Sequence, residues 1–506
     1  MTTAFSRRGF LAASAALAAI PALPRGLRAQ TAPLQLTATT RTLDIGGRAA
    51  TVFGLVGPDG RPGIRLDPVQ RFAVALQNDL DVETIIHWHG QIPPNVQDGV
   101  PDMPLPPLQP REERGYDFVP AAGTHWMHSH IPIQEMQMLA APLIVRRPED
   151  LTADRQEAVM FLHDFSFRPA EEVLAEILSG AGHGEMGADP ESGSGGMDHS
   201  AMGDGMGTMP MPGRAMGSMD HGAGMPGMGS MAGMQMDLND FDFDAYLTND
   251  RTLEDPEVVQ VERGGRVLLR VINAAAATTF WIDSGDLPAR LVAVDGQPVQ
   301  PLDGRRFGLS MGQRLDLELD LPQSGGAWPI LALREGARER TGLILATAGT
   351  RIGKLTSVSD SEAPAFDVGL EQESRLRAGT PLTGKGEIRP VMVMLGGQMQ
   401  PYRWTIDGRT WGDHLPVKAR SGERIEIMFH NMSMMGHPMH LHGHHFQVVG
   451  INGERLAGAM RDTVYVPPMT MVTIALDAGE AARWMLHCHH MPHLFTGMMT
   501  EFAVTA

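Results

Sequence analysis

Three segments of the chain repeat one pattern of apolar and polar positions. Each begins with arginine, continues through six mostly apolar or alternating residues and ends with asparagine, at residues 71–78, 266–273 and 424–431. Apolar runs of this length between turn residues predict β-strands. Because the pattern occurs three times in a chain of 506 residues, it indicates three related β domains.

The positions of these strands place the domains at residues 31–148, 149–365 and 366–506. Frequent Gly and Pro turns and few long segments of helical periodicity favour an all-β protein built from sandwiches or barrels. Helix is expected to be minor, with residues 170–178 as the best local candidate.

The first 29 residues have the composition of a targeting segment. Arg7 and Arg8 precede an apolar run at residues 11–23, and Leu27-Arg28-Ala29 supplies a small-residue cleavage site. This order predicts a twin-arginine export signal over residues 1–29 and hence a periplasmic protein, the alternative being an ordinary basic N-terminus. After this segment the sequence has no run of about 18 apolar residues, so no stable membrane insertion is expected.

A segment of unusual composition interrupts the second domain. Residues 183–236 contain 13 Met, 15 Gly and three His, with no Leu, Ile, Val, Phe, Tyr or Trp. Such a segment cannot bury a core, so it is predicted to be a disordered insertion. Its thioethers and its two Met-Asp-His sequences, at 197–199 and 219–221, favour capture of Cu(I) over the alternative of a plain linker.

Charge and composition narrow the function further. The 41 basic and 59 acidic residues give a net charge of −18, which argues against nucleic acid as a partner. The single cysteine excludes an intrachain disulfide, while 35 Met and 20 His make metal binding the first hypothesis.

Four His-x-His sequences carry the candidate chemistry. Because residues i and i+2 of a strand project from one face, each can present two imidazoles to one centre. Together they supply enough imidazoles for several copper ions. The four pairs are His87 and His89, His128 and His130, His440 and His442, and His487 and His489.

Cys488 lies between the last two histidines, so its side chain is expected to face a different metal from theirs. With His437, His493 and a weak axial Met498, this thiolate completes the ligand set of a type 1 (blue) copper electron-transfer site.

With these motifs, the mature sequence resembles the three-domain multicopper oxidases, of the laccase-like and periplasmic copper-resistance type. The resemblance implies three cupredoxin-like Greek-key β-sandwiches and four copper ions, with the oxygen-reducing cluster between the first and third domains. It places type 2 copper on His87 and His440, the type 3 pair on His89, His128, His130, His442, His487 and His489, and type 1 copper on His437, Cys488, His493 and Met498.

The family pattern also suggests how protons reach oxygen. Asp98 matches an acidic residue that relays protons in related oxidases, the alternative being a turn carboxylate before Gly99. Two positions depart from the cuprous oxidases: Leu494 replaces a glutamate and Ser433 replaces an aspartate.

We therefore expect an exported oxidase that couples one-electron oxidation of Cu(I) or of phenolic or aromatic amine substrates to four-electron reduction of O2 to water, in copper tolerance. The alternative is a periplasmic copper-sequestering protein with incidental oxidase activity, and a two-domain nitrite reductase is excluded by the four histidine pairs. A monomer is favoured.

Seven further histidines are expected to be structural or to support ligands from behind rather than to bind metal. Outside the copper motifs and the insertion, these are His125, His163, His414, His430, His444, His445 and His490. Met434, Met435, Met439 and Met499 lie beside type 1 ligands in sequence, where guiding Cu(I) and core packing are equally plausible roles.

Overall fold

The structure is a computed structural model that describes residues 32–179, 238–366 and 369–506. The predicted export signal at residues 1–29 and the predicted insertion at residues 183–236 lie outside the described residues. No helix in the described ranges is long and apolar enough to cross a membrane.

The first pair of sheets belongs to residues 34–145. One sheet has the strand order β2-β1-β4-β6 and the other the order β3-β8-β7-β5. Their elements are β1 (Leu34–Ile45), β2 (Arg48–Val56), β3 (Ile64–Leu66), β4 (Phe72–Asn78), β5 (Ile86–His87), β6 (Glu113–Phe118), β7 (Gly123–Ser129), the short helix α1 (Pro132–Met136) and β8 (Ala140–Val145).

The second pair belongs to residues 156–347. Its sheets have the orders β10-β9-β12-β17-β14-β15 and β11-β19-β18-β13-β16. Their elements are β9 (Gln156–Phe165), α2 (Ala170–Ser179), β10 (Ala245–Thr248), β11 (Val258–Val261), β12 (Arg266–Asn273), β13 (Phe280–Asp283), β14 (Ala289–Val294), β15 (Gln297–Gly304), β16 (Arg306–Leu309), β17 (Arg314–Asp320), β18 (Ala327–Arg334) and β19 (Arg340–Thr347).

The third pair belongs to residues 389–505, after a short helix α3 (Glu371–Arg375). Its sheets have the orders β21-β20-β23-β29-β25-β26, with β27 also paired to β25, and β22-β31-β30-β24-β28. Their elements are β20 (Arg389–Met399), β21 (Tyr402–Ile406), β22 (Val417–Arg420), β23 (Arg424–Asn431), β24 (His437–Leu441), β25 (Phe446–Ile451), β26 (Glu454–Arg455), β27 (Met460–Arg461), β28 (Thr463–Val466), β29 (Met471–Asp477), β30 (Arg483–Cys488), α4 (Met491–Phe495) and β31 (Met499–Thr505).

The predicted all-β architecture of three sandwiches is confirmed. Each pair of sheets encloses a core of its own, built from the inward-facing apolar residues of both sheets. Helix is minor, and α2 lies where the sequence predicts it. The sheets locate the three sandwiches but do not define the residue at which one domain ends and the next begins. The exact domain limits therefore stay a prediction.

The repeated strand pattern corresponds to β4, β12 and β23, each an inner strand of its sheet. The final residues Asn78, Asn273 and Asn431 are fully buried. In each, Nδ2 donates to at least two backbone carbonyls and Oδ1 accepts from the backbone N–H two residues further on. The asparagine therefore satisfies the polar groups of a buried strand end, which an apolar residue would leave unpaired.

One buried arginine connects all three sandwiches. Arg314 opens β17 in the second, its Nε donates to the backbone oxygen of Thr124 in the first at 3.2 Å, and its terminal nitrogens donate to both carboxylate oxygens of Asp462 in the third at 2.7 and 2.5 Å. Arg314 has no exposed surface. Such a bidentate pair fixes both distance and orientation, so it sets how the sandwiches meet.

Candidate metal centre

Two strands of the first sandwich position four histidines. β5 and β7 are antiparallel and place His87 directly opposite His128. His89 and His130 follow these strands at the i+2 positions, and all four side chains are buried.

The third sandwich repeats this arrangement. β24 and β30 are antiparallel, with His440 opposite His487 and Met439 opposite Cys488. Two residues beyond each strand position lie His442 and His489, which are also fully buried.

The two sets of histidines meet between the sandwiches. His440 Nε2 lies 3.4 Å from His87 Nε2, and His442 Nε2 lies 3.1 Å from His487 Nε2. His130 joins the second pair, since the donor atoms of His130, His442 and His487 all lie within 4.8 Å of one another.

The remaining three histidines form a further group. The ring centroids of His89, His128 and His489 are 5.0 to 5.6 Å apart. The structure thus brings together all eight histidines of the four predicted pairs.

Hydrogen bonds to backbone oxygens orient four of these eight rings. The Nδ1 atoms donate to backbone oxygens at 2.8 to 2.9 Å in His87, His128, His440 and His487. A ring that donates through one nitrogen presents the lone pair of the other. The facing Nε2 atoms therefore carry no proton, and their lone pairs repel each other. A cation bound between them would remove this repulsion.

Several buried ring nitrogens also have no hydrogen-bond partner among the described residues. These are Nδ1 of His89, Nε2 of His128, Nε2 of His130 and both nitrogens of His489. Leaving such atoms unpaired costs about 1–3 kcal/mol each. No described group satisfies these nitrogens, whereas bound metal ions would, so the cluster fits metal ions.

Burial keeps the imidazoles in the neutral form that binds metals. It lowers the pKa of His487 to about 3, and burial together with neighbouring imidazoles lowers the pKa of His89, His130, His440, His442 and His489 well below its ordinary value.

Three buried carboxylates contact the cluster. Asp98, predicted from the sequence, accepts a hydrogen bond from His442 Nδ1 at 2.9 Å, and its backbone oxygen accepts one from His87. Glu135 lies 2.7 Å from His128 Nδ1, and Asp462 accepts from His89 Nε2 at 3.1 Å. Carboxylates on the second nitrogen fix ring orientation and raise ligand basicity.

Sequence reasoning missed two of these carboxylates. Glu135 lies in α1, five residues after His130, a proximity in sequence that could have suggested it. Asp462 could have been suspected because Arg461 and Asp462 are two adjacent charged residues where β27 meets the largely apolar β28.

A second group of donors surrounds the single cysteine. Cys488 Sγ lies 3.5 Å from His493 Nδ1 and 3.7 Å from His437 Nδ1, and these two nitrogens are 3.2 Å apart. Met498 is fully buried nearby; its backbone N–H donates to His493 and its carbonyl accepts from Cys488. The structure therefore brings Cys488, His437 and His493 together and fastens Met498 to two of them.

Neighbouring groups adapt this site to a metal. Ser433 Oγ lies 2.8 Å from His437 Nε2, which leaves Nδ1 directed at the cysteine. Trp404, another residue that the sequence did not suggest, covers His493 with ring centroids 4.2 Å apart. Burial raises the pKa of the Cys488 thiol and lowers the pKa of His437 to about 3, so a bound cation is needed to hold the thiolate.

The two groups of donors are adjacent along the chain, at the end of β30. His487 and His489 face the cluster between the sandwiches, while Cys488 faces His437 and His493. One covalent segment of three residues thereby connects the two sites.

Models of the multicopper oxidase family match residues 38–150, 224–350 and 387–506. Among curated relatives, the chain is 28% identical to multicopper oxidase MmcO of Mycobacterium tuberculosis, over 98% of this chain and 96% of that protein. It is 23% identical to copper resistance protein A of Escherichia coli, over 95% and 94% of the two chains.

Solved structures show the same fold. Fet3p, described as a multicopper oxidase that functions in iron import, superposes with a TM-score of 0.69 at 17% identity, covering 93% of this chain and 90% of that one. A multi-copper oxidase from Pseudomonas thermotolerans superposes with a TM-score of 0.63 at 21% identity, covering 93% and 98%. The sandwiches are therefore cupredoxin-like.

Proposed function

The chain belongs to the multicopper oxidase family, and from this premise we propose that it couples one-electron oxidation of Cu(I) or of phenolic or aromatic amine substrates to four-electron reduction of O2 to water. As a family member it is a copper-dependent oxidoreductase with O2 as acceptor. The observation that carries the proposal is the placement of Cys488 between His487 and His489, with donors for one metal on one side and for several on the other.

We assign four copper ions to these donors. Bound copper supplies one-electron chemistry at the cysteine site and oxygen reduction at the histidine cluster. The assignment is type 1 on His437, Cys488, His493 and Met498, type 2 on His87 and His440, and the type 3 pair on His89, His128, His130, His442, His487 and His489.

Other groups of the protein connect the two sites, exclude water from them and orient the ligand rings. The segment His487-Cys488-His489 gives electrons a short covalent path between the two sites. Trp404 and the surrounding core exclude water from His493, and Asp98, Glu135 and Asp462 orient ligand rings.

We assign proton supply to Asp98. Its carboxylate lies beside His442 Nδ1, and its Oδ1 has no hydrogen-bond partner among the described residues, so it can carry a proton. The glutamate that some cuprous oxidases carry after the second type 1 histidine is replaced here by the buried Leu494. Of the three acids that contact the cluster, Asp462 is held by Arg314 through both carboxylate oxygens, which leaves Asp98 and Glu135 for this purpose.

Copper tolerance and periplasmic export complete the proposal. The similarity to copper resistance proteins supports the first, and the twin-arginine pattern of residues 1–29 supports the second. The domain limits 31–148, 149–365 and 366–506 are part of the same proposal, and each range contains one pair of sheets.

The test is O2 consumption by the copper-loaded protein, measured first with Cu(I) and then with a phenol. We expect consumption with at least one of them and four coppers per chain. The methionine-rich composition of residues 183–236 favours the second candidate, a periplasmic copper-sequestering protein. That candidate predicts copper binding without appreciable consumption with either reductant.

A further inference from the structure

The outer surface of the third sandwich carries a group of soft donor side chains that the proposed function does not use. They lie on three adjacent strands, β20, β23 and β29, and on the loop residues that directly adjoin β23 and β29. We call this group the methionine face. It consists of Met392, Met394, Met428, His430, Met432, Met469 and Met471.

The alternation of the strands directs these side chains away from the core. Along β20, Val393 is fully buried in the third core, whereas the preceding Met392 is 45% exposed. Along β23, Phe429 is buried in the same core between the half-buried Met428 and His430. Since residues i and i+2 of a strand share one side, both strands present their soft donors to the outside.

The pairing of the strands brings three of these residues into one row. β20 and β23 are parallel with Met394 opposite His430, and β23 and β29 are antiparallel with His430 opposite Met471. Opposite residues on neighbouring strands have Cβ atoms about 4.5–5.5 Å apart, so the two thioethers can approach the imidazole from both sides. Met392 and Met428 form the next row along the same strands.

Packing does not account for this composition. None of the six methionines of the face belongs to a core of the described residues or packs against one. The matching strand β4 of the first sandwich has Ala75 and Gln77 at the positions of Met428 and His430, and it contains no methionine. The sandwich therefore forms without soft donors at these positions.

The imidazole in the middle of the row has no partner of its own. The ring of His430 makes no hydrogen bond, ion pair or ring contact with another described residue. The acid on the same side of β23 is Glu426, and Arg455 pairs with both of its carboxylate oxygens at 2.7 and 2.9 Å. The row thus offers two thioethers and an imidazole, with no free carboxylate on β23.

We propose that the methionine face binds Cu(I), with Met394, His430 and Met471 as the ligands. Thioether and neutral imidazole are soft or borderline donors, which favour Cu(I) over divalent ions that prefer oxygen. The site is separate from the cysteine site, because Cys488 and Phe429 belong to the core between the sheets and the face lies on the opposite surface of one sheet. Binding of the ion does not depend on the proposed oxidase function.

The direct test uses Ag(I), a soft monovalent ion that stays monovalent in the presence of O2. Crystals of the full-length, copper-loaded protein are soaked with silver nitrate in a chloride-free solution, and silver is located by its anomalous scattering. In the wild type we expect silver beside His430, between Met394 and Met471.

Two variants test the ligands. Met394→Leu/Met471→Leu nearly conserves volume and is expected to lose this silver. His430→Gln introduces the residue that β4 has at this position, and it is expected to lose the silver as well. The matched control is Met399→Leu on the same strand β20, whose side chain packs against the core and whose variant retains silver.

Silver content in solution supplies the second readout. After excess silver is removed, the double variant should hold about one silver ion fewer per chain than the wild type and the control. Any silver held by residues 183–236 is common to all of these proteins, so the difference reports on the face. The melting temperature and kcat/KM for a small phenol, expected within about twofold of the wild type, show that the variants are folded.

Two results overturn the proposal. The first is the absence of silver from the face of the soaked wild type, which would make the face an apolar surface for another protein. The second is equal silver content in the wild type and the double variant. If the wild type consumes no O2 with either reductant, the oxidase function fails, and the silver experiments still decide whether the face binds soft metal ions.

Discussion

Cys488 links the two proposed metal sites. Its thiolate is assigned to type 1 copper, while its sequence neighbours His487 and His489 are assigned to the oxygen site. Its side chain is fully buried and has two imidazole nitrogens within 3.7 Å. Replacing only the sulfur atom at this position therefore removes the metal ligand while the packing around the side chain is kept.

Replacing Cys488 with serine is therefore expected to abolish the blue absorption and the turnover together. Serine is nearly isosteric but lacks the thiolate, so the fold persists and the melting temperature of the protein changes little. Visible absorption, O2 consumption and circular dichroism measure the three properties. Wild-type oxidase activity in this variant would contradict the type 1 assignment.

His130 tests the other side of the same segment. His130→Ala removes a donor of the His130, His442 and His487 group but leaves every type 1 ligand in place. The blue colour should remain, while the oxidase rate falls at least about a hundredfold and fewer coppers are bound per chain.

The matched control for His130→Ala is His414→Ala, a partly buried histidine that contacts Glu501 outside the cluster. Metal analysis and phenol oxidation compare the two variants. Equal activity of His130→Ala and His414→Ala would show the assignment of His130 to be wrong.

At the scale of elements, the methionine-rich segment 183–236 is separable from the sandwiches by composition. It has no aromatic residue and none of Leu, Ile or Val, and the three cores form from described residues. Deleting it should leave four coppers bound and the fold stable. The rate of Cu(I) oxidation should fall, while phenol turnover stays equal or rises.

A second variant separates length from chemistry: the segment keeps its length but carries serine in place of methionine. If thioethers collect Cu(I), this variant behaves like the deletion. The ratio of the Cu(I) rate to the phenol rate is the measurement, and an unchanged ratio in both variants would identify the segment as a linker.

The strands themselves could be predicted because their information is local. The pattern that ends at Asn273 matches β12 residue for residue, and the pattern that ends at Asn431 matches β23. The histidine pairs could be predicted for the same reason, since i and i+2 on a strand share a face. Both inferences need only neighbouring residues.

Groups defined by contacts across the chain could not be predicted in this way. Asp462 meets His89 although 373 positions separate them, and Arg314 meets Asp462 across 148 positions. Such partners depend on how the sandwiches pack, which local periodicity does not specify.

For the whole molecule, the buried pair of Arg314 and Asp462 is expected to govern how firmly the sandwiches associate. Arg314→Met removes the arginine that pairs with the buried Asp462, while Asp295, which Arg314 also contacts, keeps its ion pair with Arg461 at 3.0 Å. Breaking a buried ion pair in this way costs about 3–5 kcal/mol, so the free energy of unfolding should fall by that amount.

The control for Arg314→Met is Arg266→Met on β12, whose ion pair with Asp320 is largely exposed, so that its loss should change the free energy of unfolding little. Chemical denaturation compares the two variants, and copper retention under a chelator is a second measurement. Similar losses of stability in both variants would contradict a special role for the buried arginine.

The division of the histidines between the first and third sandwiches also constrains when the enzyme can become active during its own synthesis. His87 and His440 face each other, yet 353 positions of chain separate them. While a ribosome is still producing the third sandwich, the growing chain offers only part of each binding site between the sandwiches. A nascent or truncated product therefore has no completed oxygen-reducing centre, and the order of translation itself delays reactive copper chemistry until folding is nearly finished.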